Sequence, residues 1–157
     1  LFCEHVSFFV INNTLYIAQE MDRNNYSIID FPKITDPRGN LTVAESMQHV
    51  PFDVRRVYWT YDVPAGESRG GHAHKQCREV IIAVSGSFTV TLDNGSEKQS
   101  FHLNHPWQGL LVETGIWRTL EDFSSGAVCL VIASELYDED DYIYDYDEFL
   151  KYKQCSK

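Results

Sequence analysis

Two histidines one residue apart, His72 and His74, lie in the stretch Gly66-Glu-Ser-Arg-Gly-Gly-His-Ala-His-Lys-Gln-Cys-Arg-Glu-Val-Ile-Ile-Ala-Val-Ser-Gly86. Strand side chains alternate between faces, so residues i and i+2 project from the same side. On a strand, both imidazoles therefore enter one space. A single interior histidine is more often a satisfied core residue; a pair preceded by Arg69 and two glycines points to a functional site. Imidazole changes charge near neutral pH without help from its surroundings, so acid–base work is the chemistry this pair offers first.

The elements that must position the pair read as β. Strand-like runs recur at 27–29, 40–44, 54–63, 80–84, 88–92, 99–103, 109–112 and 128–133, separated by turn clusters such as Asp36-Pro37-Arg38-Gly39 and Pro64-Ala65-Gly66. Asn94-Gly95 between two alternating runs is a hairpin signal. Many short strands with regular turns predict an all-β sandwich or barrel. Eight of the 23 acidic residues (Glu135, Asp138, Glu139, Asp140, Asp141, Asp145, Asp147, Glu148) crowd into the C-terminal region. That run reads as a solvated helix with Tyr142, Tyr146, Phe149 and Leu150 as its buried stripe and Lys151 and Lys153 favourably placed at its end.

The 157 residues suit one domain that buries its own core, and 43% hydrophobic content excludes a disordered or collagenous chain. A net charge of −10 argues against nucleic acid or an anionic membrane as partner. Phe8-Phe9-Val10-Ile11 is too short to span a bilayer and lacks the basic flank of a signal peptide. Cys3, Cys77, Cys129 and Cys155 share no metal-knuckle spacing, so reduced thiols in a cytoplasmic protein are the economical expectation. Residues 1–20 read as an N-terminal extension ahead of Met21 that need not be native, and 21–157 as a single domain.

Gly, five residues, His-x-His, four residues, Glu79, six residues, Gly86 resembles the first conserved motif of the cupin superfamily. That resemblance implies a jelly-roll barrel with a short C-terminal helix, and in metal-dependent cupins His72, His74 and Glu79 would be three ligands. The second motif should supply a further histidine. The corresponding stretch here, Glu113-Thr-Gly-Ile-Trp117-Arg118-Thr-Leu, has Arg118 in its place. A guanidinium stays protonated, cannot ligate and repels a nearby dication, so no metal and no cofactor are expected.

Within the cupins, Arg56-Val57-Tyr58, Arg69-Gly-Gly-His72-Ala-His74-Lys75, Gly109-Leu110, Trp117-Arg118, Asp122-Phe123-Ser124 and Ala133 to Ile143 are together similar to the nucleotide-sugar 3,4-ketoisomerases. The similarity runs from about Asp36 to Phe149; Thr114, where many relatives carry Pro, and Glu79, not a fixed position among these isomerases, are departures. The resemblance implies metal-independent migration of a carbonyl from carbon 4 to carbon 3 of dTDP-4-keto-6-deoxyglucose through an enediol or enediolate. The product would feed deoxysugar and surface polysaccharide synthesis, and the chain would be a homodimer. By the same resemblance His72 is the base at carbon 3, Tyr58 moves a proton at carbon 4 or its oxygen, and His74 orients or shares the transfer.

Alternation places Tyr58 and Thr60 on one face, Trp59 and Tyr61 on the other. For the diphosphate, Arg69 and Arg118 are the leading cations, with Arg38 and Lys75 as weaker candidates; Trp117 or a tyrosine such as Tyr61 could stack on thymine. A deoxysugar epimerase, a metal-dependent cupin enzyme and a non-catalytic sugar-binding cupin remain the alternatives.

Overall fold

The computed structural model describes residues 25–155; the extension at 1–20 lies outside them. Twelve strands are present in this range: β1 (Tyr26–Asp30), β2 (Lys33–Asp36), β3 (Gly39–Thr42), β4 (Arg56–Thr60), β5 (Arg69–His74), β6 (Glu79–Ser85), β7 (Phe88–Asp93), β8 (Lys98–Leu103), β9 (Gln108–Val112), β10 (Trp117–Glu121), β11 (Val128–Ala133) and β12 (Tyr142–Ile143). One helix, α1 (Tyr146–Cys155), follows.

The strands form two five-stranded antiparallel sheets, ordered β1-β9-β6-β11-β4 and β12-β5-β10-β7-β8, with β2 and β3 as a separate hairpin. Among the described residues neither sheet closes on itself, so the all-β expectation is met by two open sheets sharing a core.

Strand alternation explains which side chains meet. β6 is flanked on both sides, by β9 and β11, and its apolar run is buried on both faces. Ile81 and Ala83 enter the core between the sheets with Phe88, Val90, Leu92, Leu103, Leu110 and Val131. Val80 and Ile82 pack on the other side against Phe31, Val50, Phe52 and Ile132. Glu79 has the parity of Ile81 and Ala83, so it is carried into the space between the sheets.

The Asn94-Gly95 signal forms its hairpin, with β7 and β8 paired from Phe88↔Leu103 to Asp93↔Lys98. Asn94 Oδ1 accepts the Ser96 and Glu97 amides, and Gly95 takes φ +88°. The acidic tail departs from expectation. It is not one helix: a 3₁₀ turn at Glu139–Asp141 and β12 precede α1, and Tyr142 sits on β12 rather than on a helical stripe. Asp145 starts α1, its Oδ1 accepting the Glu148 amide. Phe149 is buried with Ala73 and Ile143, and Tyr146, Leu150 and Trp117 pack around it. Among the described residues no helix is long and apolar enough to cross a membrane.

Candidate active site

The same parity that buries Glu79 brings Tyr58 from β4, His72 from β5 and Arg118 from β10 into one cavity of about 140 Å³, with Arg69 and Gly70 among its lining residues. Gly70 and Gly71 take φ of +80° and +70° directly before His72. A Cβ on Gly70 would stand 2.8 Å from the Arg118 carbonyl oxygen, so glycine there lets β5 approach β10 closely enough to place His72 opposite Arg118.

The His72 ring hydrogen-bonds the Gly70 backbone, while its Nε2 finds no partner among the described residues. Burial, followed by the positive fields of Arg118 and His74, lowers its pKa to about 4. It is therefore neutral at physiological pH, with a lone pair available as a base. Glu79, wholly buried, has the opposite balance. Burial pushes its carboxyl up, but Arg118, His74 and the Tyr58 hydroxyl outweigh this and hold it well below the usual carboxylate range. Arg118 Nε lies 3.7 Å from Glu79 Oε2. Yet none of the three guanidinium nitrogens has a hydrogen-bond acceptor among the described residues, although the side chain is 1% exposed. A buried cation with unused donors facing a cavity is what an anionic or carbonyl-bearing ligand would complete.

Tyr58 Oη donates to Glu79 Oε1 at 2.7 Å. Burial first, then the Glu79 charge, raises its phenol far above the ordinary value, so it remains a proton donor. His74 shares the inward face with His72, their ring centroids 5.0 Å apart. It does not line the cavity, however. Its Nδ1 is 2.8 Å from Asp141 Oδ2 and its Nε2 is 3.4 Å from Glu79 Oε1, so it stands one layer behind.

The structure does not bring the remaining candidates to this cavity. Tyr61 lies with Trp59 along a separate surface groove beside Gly126 and Val128. Trp117, of opposite parity to Arg118, packs edge-on to Tyr146 at 5.2 Å and against Phe149. Lys75 is exposed, its Nζ donating to the Asp140 carbonyl. Arg38, in the β2–β3 turn, pairs with Asp36 at 2.7 Å in the open. Sequence reasoning missed Asp141: within a dense acidic run no local signal marks the one carboxylate that is buried. It also missed Tyr142, whose ring is 4.3 Å from that of His74 and 5.0 Å from that of His72.

His72, His74 and Glu79 each offer an atom within 4.8 Å of one another, the spacing of a three-ligand metal centre. The donor set fits a metal poorly. Glu79 is already neutralised by Arg118 and hydrogen-bonded by Tyr58, and a dication on it would face an adjacent fixed guanidinium.

A β-rich cupin-like fold gathers histidine, tyrosine, glutamate and arginine around one small cavity, a set of side chains able to do acid–base chemistry. The family model described as "FdtA: WxcM-like, C-terminal" matches residues 24–154, and the chain belongs to that family. It is 44% identical over 125 residues to the TDP-4-oxo-6-deoxy-alpha-D-glucose-3,4-oxoisomerase of Aneurinibacillus thermoaerophilus, covering 80% of this chain and 90% of that protein. Among solved structures, a 3,4-ketoisomerase from Helicobacter canadensis is 40% identical with a TM-score of 0.81, over 83% of this chain and 98% of that one. The sugar 3,4-ketoisomerase QdtA from Thermoanaerobacterium thermosaccharolyticum, in complex with TDP, is 38% identical with a TM-score of 0.84, over 86% and 98%.

Proposed function

We propose that this chain is an isomerase that moves the keto group of TDP-4-keto-6-deoxyglucose from carbon 4 to carbon 3, with His72 and Tyr58 as its acid–base pair. The observation that carries the reading is the juxtaposition, in one cavity, of a neutral His72, a protonated Tyr58 and an Arg118 whose donors are unused. The family membership and the activity of the relatives support the substrate class.

The chemistry balances without a redox partner. His72 Nε2 takes the proton from carbon 3, and the C–H pair becomes the carbon 3–carbon 4 double bond while the carbon 4 carbonyl pair moves onto oxygen. Arg118 stabilises the resulting enediolate, which is the stage at which an unpaired buried cation has most effect. The hydroxyl proton of oxygen 3 passes to oxygen 4 as the carbon 3 carbonyl forms, carbon 4 gains its proton from the acid on its side, and the proton held by His72 returns by way of solvent to the acid that was spent. Tyr58 delivers a proton on the carbon 4 side. Arg69, exposed at the cavity, holds phosphate.

The two sheets read as a jelly roll. The assembly in this reading is a homodimer, supported by β4, which forms one edge of its sheet and leaves Val57 and Trp59 about half exposed on its outer face. Light scattering during gel filtration measures that mass. Incubation of the protein with TDP-4-keto-6-deoxyglucose in heavy water, followed by NMR, tests the reaction: a 3-keto product supports it. Deuterium exchange with the ketone still at carbon 4 indicates an epimerase, binding without exchange a non-catalytic protein, and loss of turnover to a chelator a metal enzyme.

A further inference from the structure

The buried carboxylate of Asp141 takes no part in the proposed proton transfers, yet it accepts three hydrogen bonds. Its Oδ1 accepts the Gln76 amide at 2.6 Å, and its Oδ2 accepts His74 Nδ1 at 2.8 Å and the Cys77 amide at 3.3 Å. An ionised carboxylate is an acceptor only, so the hydrogen on this bond belongs to Nδ1 and the plane of the His74 ring is fixed. The other ring nitrogen, Nε2, thereby faces Glu79 Oε1 3.4 Å away, at ion-pair distance but with no hydrogen bond among the described residues. That same oxygen accepts the Tyr58 hydroxyl at 2.7 Å. Four side chains drawn from the tail, β5, β6 and β4 thus stand in line from Asp141 to the cavity.

We propose that Asp141 is a positioning residue for the isomerisation: by fixing the ring orientation of His74 it sets the imidazole against the Glu79 carboxylate and so holds that carboxylate, and through it the Tyr58 hydroxyl, in register with the substrate. The inference rests on the role given to Tyr58 above. It accounts for a fully buried His74 that does not line the cavity. It also distinguishes Asp141 from Glu139 and Asp140, its exposed neighbours in the same turn.

Asp141→Asn is the informative substitution. The amide keeps the size of the side chain and can still accept from the Gln76 amide, but its NH₂ group placed against Nδ1 cannot accept the ring hydrogen, so the contact that fixes the His74 ring is lost. Loss of the partner that orients a metal-ligating histidine costs about 10- to 100-fold, and a loss of that order is expected for this metal-free analogue. We expect kcat to fall by that factor with KM and TDP affinity within about twofold, because Asp141 does not touch the cavity. In a Tyr58→Phe background the same change should lower kcat by less than about twofold, because the line then ends at Glu79. An unchanged kcat in Asp141→Asn, or a loss that is fully additive with a crippling Tyr58→Phe, overturns the positioning role alone. A fully active Tyr58→Phe overturns the role of Tyr58 and this proposal together. If Asp141→Asn does not fold, Asp141→Glu, which keeps the charge but displaces the carboxylate, must show the same kcat loss at constant KM; wild-type kcat in that variant overturns the proposal.

Discussion

Tyr58 donates its hydroxyl hydrogen to Glu79 Oε1 at 2.7 Å from a strand separated from β6 by β11, and both side chains reach the same cavity. The contact joins a phenol whose proton is hard to remove to a carboxylate whose charge is hard to neutralise. The pair is asymmetric: the tyrosine keeps its proton and the glutamate its charge.

Tyr58→Phe removes the donor with little change in volume. Turnover should fall by about 10²- to 10⁴-fold, the usual contribution of one placed acid or base. TDP affinity, measured by calorimetry, should stay close to that of the wild type.

His72→Asn should likewise nearly abolish turnover while leaving TDP binding intact. As the proposed base, His72 has to be neutral, and its pKa is lowered to about 4, so kcat/KM should hold through neutral pH and fall on the acid side as pH approaches about 4. The sign for stability runs the same way. The unfolded chain takes up a proton on this histidine near its ordinary 6.5 and the folded chain only near 4. Stability is therefore lost as pH falls across that window. Urea midpoints at several pH values should show a shallower decline in His72→Asn.

Arg118→Met leaves the Glu79 carboxylate buried without its cation. Breaking a buried pair from one side costs about 3–5 kcal/mol, which should appear as a large drop in the urea midpoint. Adding Glu79→Gln should recover most of that stability but none of the activity, because the enediolate would still lack its cation.

Gly70→Ala and Gly66→Ala form a matched pair. Both glycines have φ near +80°, but an added Cβ meets the Arg118 carbonyl at 2.8 Å in the first and open space in the second. Gly66→Ala should cost about 1 kcal/mol from backbone strain alone. Gly70→Ala should cost more and should also depress turnover, because the strand carrying His72 must shift away from β10.

Much of the site was legible because alternation along a strand is a local property. His72 and His74 share a face, Tyr58 and Thr60 share a face, and the backbone guarantees this wherever the strands lie. Arg118 could be singled out as well, since a guanidinium standing where a metal-binding histidine would be sought changes what the site can hold. The strands at 88–92 and 128–133 lie where their β-branched runs put them, whereas Trp117–Glu121, with its tryptophan, arginine and glutamate, gave too weak an apolar pattern to be read as β10.

What only the tertiary structure decided is which faces meet, and which distant segment closes over them. Parity says that Trp117 and Arg118 point opposite ways, but the packing of α1 on the outer face is what gave Trp117 to the helix and Arg118 to the cavity. The sequence shows Asp141 as one acid of eight. Pairing of Tyr142 with His74 across 67 intervening residues places its neighbour Asp141 against the imidazole and buries it there. That pairing depends on long-range sheet order, which no local pattern encodes. The charge of −10 itself is a sum over the chain, whereas the reaction responds to the field inside one cavity, where folding sets Arg118 and Arg69 around a neutral histidine.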